Sequence, residues 1–298
     1  MRVLEYTIGD DYDGKKLYTF LKGGLHASAR TVTKLRHSED GLKINGVHAR
    51  TVDILKKGDR VTVALPEIAS DIPATHFDDL RIVYEDEDIM VVNKPPFLAM
   101  HPTHNHQGDT LANEVAAYFL SKGENIPFRA VGRLDKCTSG LVILALNRHA
   151  ASIMSANYEK TYIAIADGEY HGAGTIDRPV FRPDPGKTLR AVGESGERAV
   201  THWTAEVSNG QMSILRVTLE TGRTHQIRVH FSSLGTPLAG DEMYGSKNTL
   251  IGRAALHCAE VEFTQPVTNE KMHFSVPLPE DMQRLADIIR QNAVSESI

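Results

Sequence analysis

The most constraining stretch of the chain is Gly132-Arg-Leu-Asp-Lys-Cys-Thr-Ser-Gly140, a glycine-bounded polar segment that runs straight into the apolar Leu141-Val-Ile-Leu-Ala-Leu146. Such a short, wholly apolar run reads as a strand buried on both faces. A loop pinned to a strand of that kind is a rigid mount for a side chain. Asp135 is flanked there by Arg133 and Lys136, with Thr138 and Ser139 able to hydrogen-bond the local backbone, a setting that keeps a carboxylate ionised and oriented. Local context by itself favours a plainer account, an Asx turn before a strand.

The elements around this strand predict an α+β domain beginning near Leu80. Arg81–Tyr84 and Ile89–Val92 read as strands, Leu111–Leu120 as a helix, Ala150–Tyr158 as a helix, and Thr161–Ala166, Val200–Val207 and Met212–Leu219 as strands. Met282, Leu285, Ile288 and Ile289 share one face of a C-terminal helix, and residues 293–298 are expected to fray. In a second polar stretch, Leu219-Glu-Thr-Gly-Arg-Thr-His-Gln-Ile-Arg-Val-His-Phe231, Thr224 is the expected N-cap of a short helix that brings His225 and Arg228 one turn apart. A guanidinium there suits bidentate pairing with a carboxylate or phosphate, although surface Arg and capping Thr also fit the pattern.

Charge divides the chain. Residues 1–66 carry 12 Lys plus Arg against 8 Asp plus Glu, whereas the remainder carries 21 against 30. A polyanion is therefore expected to meet the first segment preferentially. That segment reads as helical turns at Leu17–Leu21 and Thr31–Leu35, a strand and Asn-Gly hairpin at Leu42–Gly46, and an alternating strand at Arg60–Leu65. Ala27-Ser28-Ala29-Arg30, Lys43-Ile44-Asn45-Gly46 and Lys57-Gly58-Asp59-Arg60-Val61 together resemble the S4 RNA-binding domain. The resemblance implies that Arg30, Lys34, Arg36 and Lys43 face RNA phosphates, and a solvated basic face is the alternative. Residues 67–79 show no periodicity and are expected to be a linker.

The second domain, residues 80–292, resembles the RluA-type pseudouridine synthases. Asn93-Lys94-Pro95-Pro96 with His101-Pro102, Arg133-Leu134-Asp135 with Thr138-Ser139-Gly140, Lys160-Thr-Tyr162-Ile-Ala164, and Thr221-Gly-Arg-Thr-His-Gln-Ile-Arg228-Val-His230 follow the family's motif order, and Gly240-Asp241 with Tyr244-Gly245 also fits. The resemblance implies a mixed, mainly antiparallel sheet with flanking helices, and isomerisation of RNA uridine to pseudouridine without cofactor or metal. It implies Asp135, Tyr162 and Arg228 as catalytic residues. Arg228 would pair with Asp135, Tyr162 would pack on the uracil and relay a proton, and Arg133 would fill the gap left by the flipped nucleotide. Thr138, Arg223, His225 and Gln226 would bind substrate. Gly132 stands where the family commonly has His, and Phe97 where it often has Gly.

Other chemistries fit less well. His101, His104 and His106 lack the Cys partners or helical spacing of a metal site and read as solvated loop histidines. Cys137 and Cys258 permit at most one bridge, so a reduced, cytoplasmic chain is expected, with Cys137 a bystander thiol. No apolar run approaches the ~18 residues needed to span a bilayer. The expected partner is RNA, ribosomal more than transfer RNA, with neither DNA nor membrane, and the chain is expected to be a monomer. The competing class is a noncatalytic RNA-binding or ribosome-assembly protein on the same scaffold.

Overall fold

The computed structural model describes residues 2–65, 69–75, 80–103, 106–155 and 157–295. Its N-terminal unit contains β1 (Arg2–Thr7), α1 (Leu17–Gly23), α2 (Ala29–Arg36), β2 (Leu42–Ile44), β3 (Val47–His48) and β4 (Arg60–Leu65). The strands form one antiparallel sheet in the order β1-β4-β2-β3. Leu17, Leu21, Val32 and Leu35 from the helices pack with Leu42, Val61 and Val63 from the sheet. Ser28 caps α2 by accepting the Thr31 amide at 3.1 Å, which is worth about 1 kcal/mol. Asn45-Gly46 closes the β2–β3 hairpin with positive φ at both residues. Sequence pattern gives no sign of β1, because Leu4 is the only residue of that strand that is fully buried.

Of the expected linker, residues 67–68 and 76–79 lie outside the described residues. The described part lies along the second domain, where Ser70 N–H donates to Asn125 Oδ1 at 2.7 Å and Asn113 Nδ2 donates to Pro73 O at 2.7 Å.

That domain runs β5 (Ile82–Glu85), β6 (Ile89–Lys94), α3 (Leu111–Ser121), β7 (Ala130–Val131), β8 (Ser139–Ala145), α4 (Arg148–Met154), β9 (Tyr158–Asp167), β10 (Ala173–Asp177), β11 (Val180–Phe181), β12 (Ala191–Val192), β13 (Val200–Ser208), β14 (Met212–Leu219), α5 (Gln226–Ser233), β15 (Leu256–Thr264), β16 (Lys271–Ser275) and α6 (Glu280–Ser295). The main sheet is ordered β10-β13-β14-β9-β15-β8-β6-β5, with β16 on β15 and β7 on β8. The β8–β15 pairing is parallel and the others are antiparallel. β8 is buried along its whole length, as its apolar run predicts. The helix expected over Ala150–Tyr158 is displaced to Arg148–Met154, because Asn147 caps it two residues earlier and Tyr158 already belongs to β9.

β15 lies at the centre of this sheet, yet its His257, Glu260 and Glu262 break any apolar signature. Its approach to β8 dictates Gly140, whose φ is +112° and where a Cβ would stand 2.2 to 2.7 Å from the Cys258 backbone. Only glycine fits there. α6 buries Met282, Leu285, Ala286 and Ile289 against Ile163, Ile165 and Ile214 of the sheet. It continues to Ser295, into the expected 293–298 tail, of which residues 296–298 lie outside the described residues. The N-terminal unit docks through Arg2, which reaches the buried Asp88 with two 3.0 Å bonds, and Asp88 also accepts from Asn147 Nδ2 at 2.6 Å.

Burial lowers the pKa of His149, His230 and His257, the last from 6.5 to about 4. The folded state then binds fewer protons than the unfolded chain between those values, so stability rises with pH through the window and is lost as pH falls. His257 alone is expected to remove about 2 kcal/mol between pH 7.5 and pH 5. Urea midpoints that coincide at the two pH values would contradict buried neutral histidines.

Candidate active site

A cavity of about 850 Å³ opens at the start of β8, lined by Arg133, Asp135 and Thr138 from the loop, Tyr162 from β9, and Arg223, His225 and Arg228 from the start of α5. Its size is that of a small-molecule site. The loop tightens between Asp135 and Thr138, where the Thr138 amide donates to the Asp135 carbonyl at 3.1 Å. Two consecutive carbonyls of that turn are held from beneath by buried cations: Lys94 Nζ donates to Lys136 O at 3.3 Å and Arg253 Nη1 to Cys137 O at 3.1 Å. The Asp135 carboxylate itself faces the cavity.

Arg228 faces Asp135 as expected, but its close pair is with a second carboxylate. Its Nε and Nη2 make a bidentate pair with Asp241, both at 2.7 Å, and its Nη1 stands 3.6 Å from Asp135 Oδ2. The guanidinium is thus fixed by one carboxylate and offered to another. Burial opposes its charge, but Asp241, Cys137 and Asp135 outweigh that and raise its pKa. The guanidinium carbon also lies 5.0 Å from the Tyr244 ring centroid. Asp241 and Tyr244 fit a family motif in sequence, but nothing in their spacing reveals that they seat the arginine.

Thr224 is not the N-cap of α5. That position falls to His225, which takes φ +58°, with Nδ1 2.9 Å from Tyr244 Oη and Nε2 3.9 Å from Asp135 Oδ2. Burial pushes its pKa down, against the pull of Asp135, so the imidazole is neutral near pH 7. Tyr162 is 6% exposed, and burial holds its phenol well above the usual value, so its hydroxyl stays protonated.

The expected substrate-binding residues divide. Thr138 Oγ1 is buried without a hydrogen-bond partner among the described residues. Arg133 is exposed on the cavity wall, while Arg223 pairs with Glu197 and donates Nε to Arg198 O at 3.2 Å. Gln226 lines the cavity, but its amide is spent internally. It accepts from Thr221 Oγ1 and the Arg223 amide and donates to Val200 O and Thr201 Oγ1 at 2.9 to 3.1 Å, fastening the loop before α5.

The two departures from the family pattern have local geometry. Gly132 takes φ +73°, where a side chain is strained, and a Cβ there would lie 2.7 Å from Tyr158 Oη and 3.1 Å from Lys160 Nζ, so those two side-chain ends would have to shift. Phe97 is 58% exposed with φ +65°, the region glycine favours. Lys94, fully buried, also donates to Pro95 O and Leu98 O at 2.8 and 2.9 Å; burial lowers its pKa to about 7. Apolar periodicity cannot flag such a lysine, because it ends an otherwise hydrophobic strand.

His106 contacts Asp109 at 2.5 Å and Lys136 at 3.0 Å, His101 packs edge-on against Phe128, and His104 lies outside the described residues. Among the described residues no group of His, Cys, Asp and Glu is arranged to hold a metal ion. Arg30 and Arg36 are exposed on α2, Lys34 lines a small cavity of about 110 Å³ with Arg30 and Arg148, and Lys43 pairs with Asp40 at 2.8 Å. None of these four lines the large cavity.

A family model described as RNA pseudouridylate synthase matches residues 88–233, which include Asp135, Tyr162 and Arg228. The chain is 39% identical over 292 residues to the uncharacterized RNA pseudouridine synthase YhcT of Bacillus subtilis, covering 95% of this chain and 96% of that one. It is 36% identical over 275 residues to the ribosomal large subunit pseudouridine synthase D of Pseudomonas aeruginosa, covering 85% and 86%. Among solved structures, human RNA pseudouridylate synthase domain containing 1 matches with a TM-score of 0.54 at 25% identity, covering 72% of this chain and 96% of that one.

Proposed function

We propose, since this chain belongs to the RluA-type family of RNA pseudouridine synthases, that it isomerises specific uridines of large-subunit ribosomal RNA, with Asp135 as the essential group. The observation that carries the assignment of Asp135 is its carboxylate on the cavity wall, 3.6 Å from a guanidinium that Asp241 already fixes. The guanidinium faces the carboxylate without consuming it in a close pair.

Isomerisation breaks the N1–C1′ and C5–H bonds and joins C5 to C1′, with N1 taking up a proton, so that the product has the composition of the uridine. An ionised carboxylate serves either route, attack on C1′ with the electron pair departing to uracil N1, or removal of the sugar proton next to C1′. Neither route needs a cofactor. C1′ is inaccessible in a stacked helix, so the uridine must be flipped at an unstacking cost of a few kcal/mol; the role of filling the vacated space goes to Arg133, whose exposure on the cavity wall supports it. Tyr162, buried and protonated, supplies a flat face for the uracil and a hydroxyl that can relay a proton during the rearrangement. Ribosomal RNA is favoured because relatives of this length and similarity are named as ribosomal large subunit synthases.

Base-resolved pseudouridine mapping of ribosomal and transfer RNA, from cells with and without the gene, tests this reading. Loss of one or a few ribosomal pseudouridines, restored by the wild-type gene and not by Asp135→Ala, is the expected result. An unchanged map would support the noncatalytic alternative, and losses confined to transfer RNA would reassign the substrate.

The exposed Arg30 and Arg36 on α2 are assigned to RNA affinity rather than chemistry. Arg30→Ala with Arg36→Ala is expected to flatten the slope of log affinity against log salt by about 1.5, while kcat at saturating RNA is unchanged. An unaltered slope would remove both residues from the RNA interface.

A further inference from the structure

We infer that Arg253, anchored by Asp281 of the C-terminal helix, is a positioning residue for the Asp135 carboxylate. The inference rests on the reading of Asp135 as the reactive group. Arg253 is 3% exposed and lies outside the cavity, in the turn before β15. Its Nε and Nη2 form a bidentate pair with Asp281 at 2.6 and 2.9 Å. The remaining nitrogen, Nη1, donates to the carbonyls of Cys137, Ala254 and Leu256 at 3.1, 3.2 and 3.2 Å. One planar fork thus joins three parts of the fold: the loop that carries Asp135, the entry to the central strand, and the first turn of α6.

The geometry makes this a matter of aim. Cys137 is the third residue of the turn closed by Thr138 N–H on Asp135 O, and Lys94 holds the neighbouring Lys136 carbonyl. With both carbonyls drawn inward, the turn has one orientation, and the Asp135 side chain leaves it toward the cavity. Asp281 has a firm base, since α6 is seated on the sheet by Met282, Leu285, Ala286 and Ile289. A lysine at 253 would keep the charge but has no fork with which to hold Asp281 and the loop together. Displacing a reacting group by about 1 Å typically costs on the order of 100-fold in rate.

The test uses the full chain with Asp281→Asn, which keeps the size of a partly exposed side chain, and Arg253→Lys, which keeps the charge, as the second variant. Both are expected to lower kcat by about 10- to 100-fold on an RNA the wild type modifies, with KM within about three-fold. Hydrogen exchange at the amides of residues 136–139 is expected to quicken at the same time, and Asp281→Glu to recover part of kcat. Unchanged kcat per folded molecule, or unchanged exchange in the loop, would overturn the inference. If the wild-type enzyme modifies no RNA, the reading of the site fails by itself, and the exchange data still decide whether Arg253 and Asp281 order the loop.

Discussion

Asp135→Asn is expected to leave a folded protein with no detectable pseudouridine formation, a loss of at least about 10⁴-fold. The substitution changes no volume and removes only charge and basicity. A neutral amide can neither attack C1′ nor take up a sugar proton. The fold loses little, because the Asp135 carboxylate makes no close pair: Arg228 Nη1 stands 3.6 Å away and the neutral His225 Nε2 3.9 Å away. Losing such a loose interaction is expected to move stability by less than about 1 kcal/mol. Activity on RNA from cells lacking the gene, measured beside a thermal melt, separates the two effects. Turnover within about ten-fold of wild type would remove Asp135 from the chemistry, and a collapsed melt would make it structural instead.

The loop that carries Asp135 is legible because it is punctuated by Gly132 and Gly140 and followed by a run that can only be buried, but local pattern alone reads as an Asx turn, and the aspartate itself is singled out by the motif resemblance. The two glycines carry separate constraints: close approach of the Cys258 backbone at Gly140, and the Tyr158 hydroxyl at Gly132. Most strands with strong periodicity are recovered within a few residues, and Ser28 caps α2 as the motif implies. What escapes is the long-range part. β15 is central yet reads as a mixed polar segment, because its polar residues meet partners from distant elements, as His257 meets Ser139. The seat of Arg228 escapes for the same reason. A guanidinium one helical turn from a histidine advertises a partner, but the choice between Asp135 and Asp241 is made by the fold. His225 takes the cap that Thr224 was expected to supply, since a left-handed residue there turns its imidazole toward Tyr244 and Asp135. Gln226 sits in the same motif, and its amide is tied to a set of backbone and hydroxyl partners that a sequence cannot display.

Arg228→Met is expected to cost about 3 to 5 kcal/mol of stability as well as activity, because it leaves the 2% exposed Asp241 carboxylate buried without its partner. Stability and catalysis are nevertheless separable at this pair. Replacing both members with apolar residues of similar volume, Arg228→Met with Asp241→Leu, removes the uncompensated charge. The double variant is therefore expected to recover most of the lost stability, since a buried ion pair repays little more than its own desolvation. It is not expected to recover turnover, because nothing then presents a cation to Asp135. Urea unfolding of the two single variants and the double variant gives the coupling energy directly, and initial rates on the same samples give the catalytic effect. A double variant that is stable and inactive locates the role of Arg228 in the charge it offers Asp135. If the double variant regained more than about a tenth of wild-type rate, the guanidinium would be a structural group only, and the carboxylate would have to be activated by something else in the cavity.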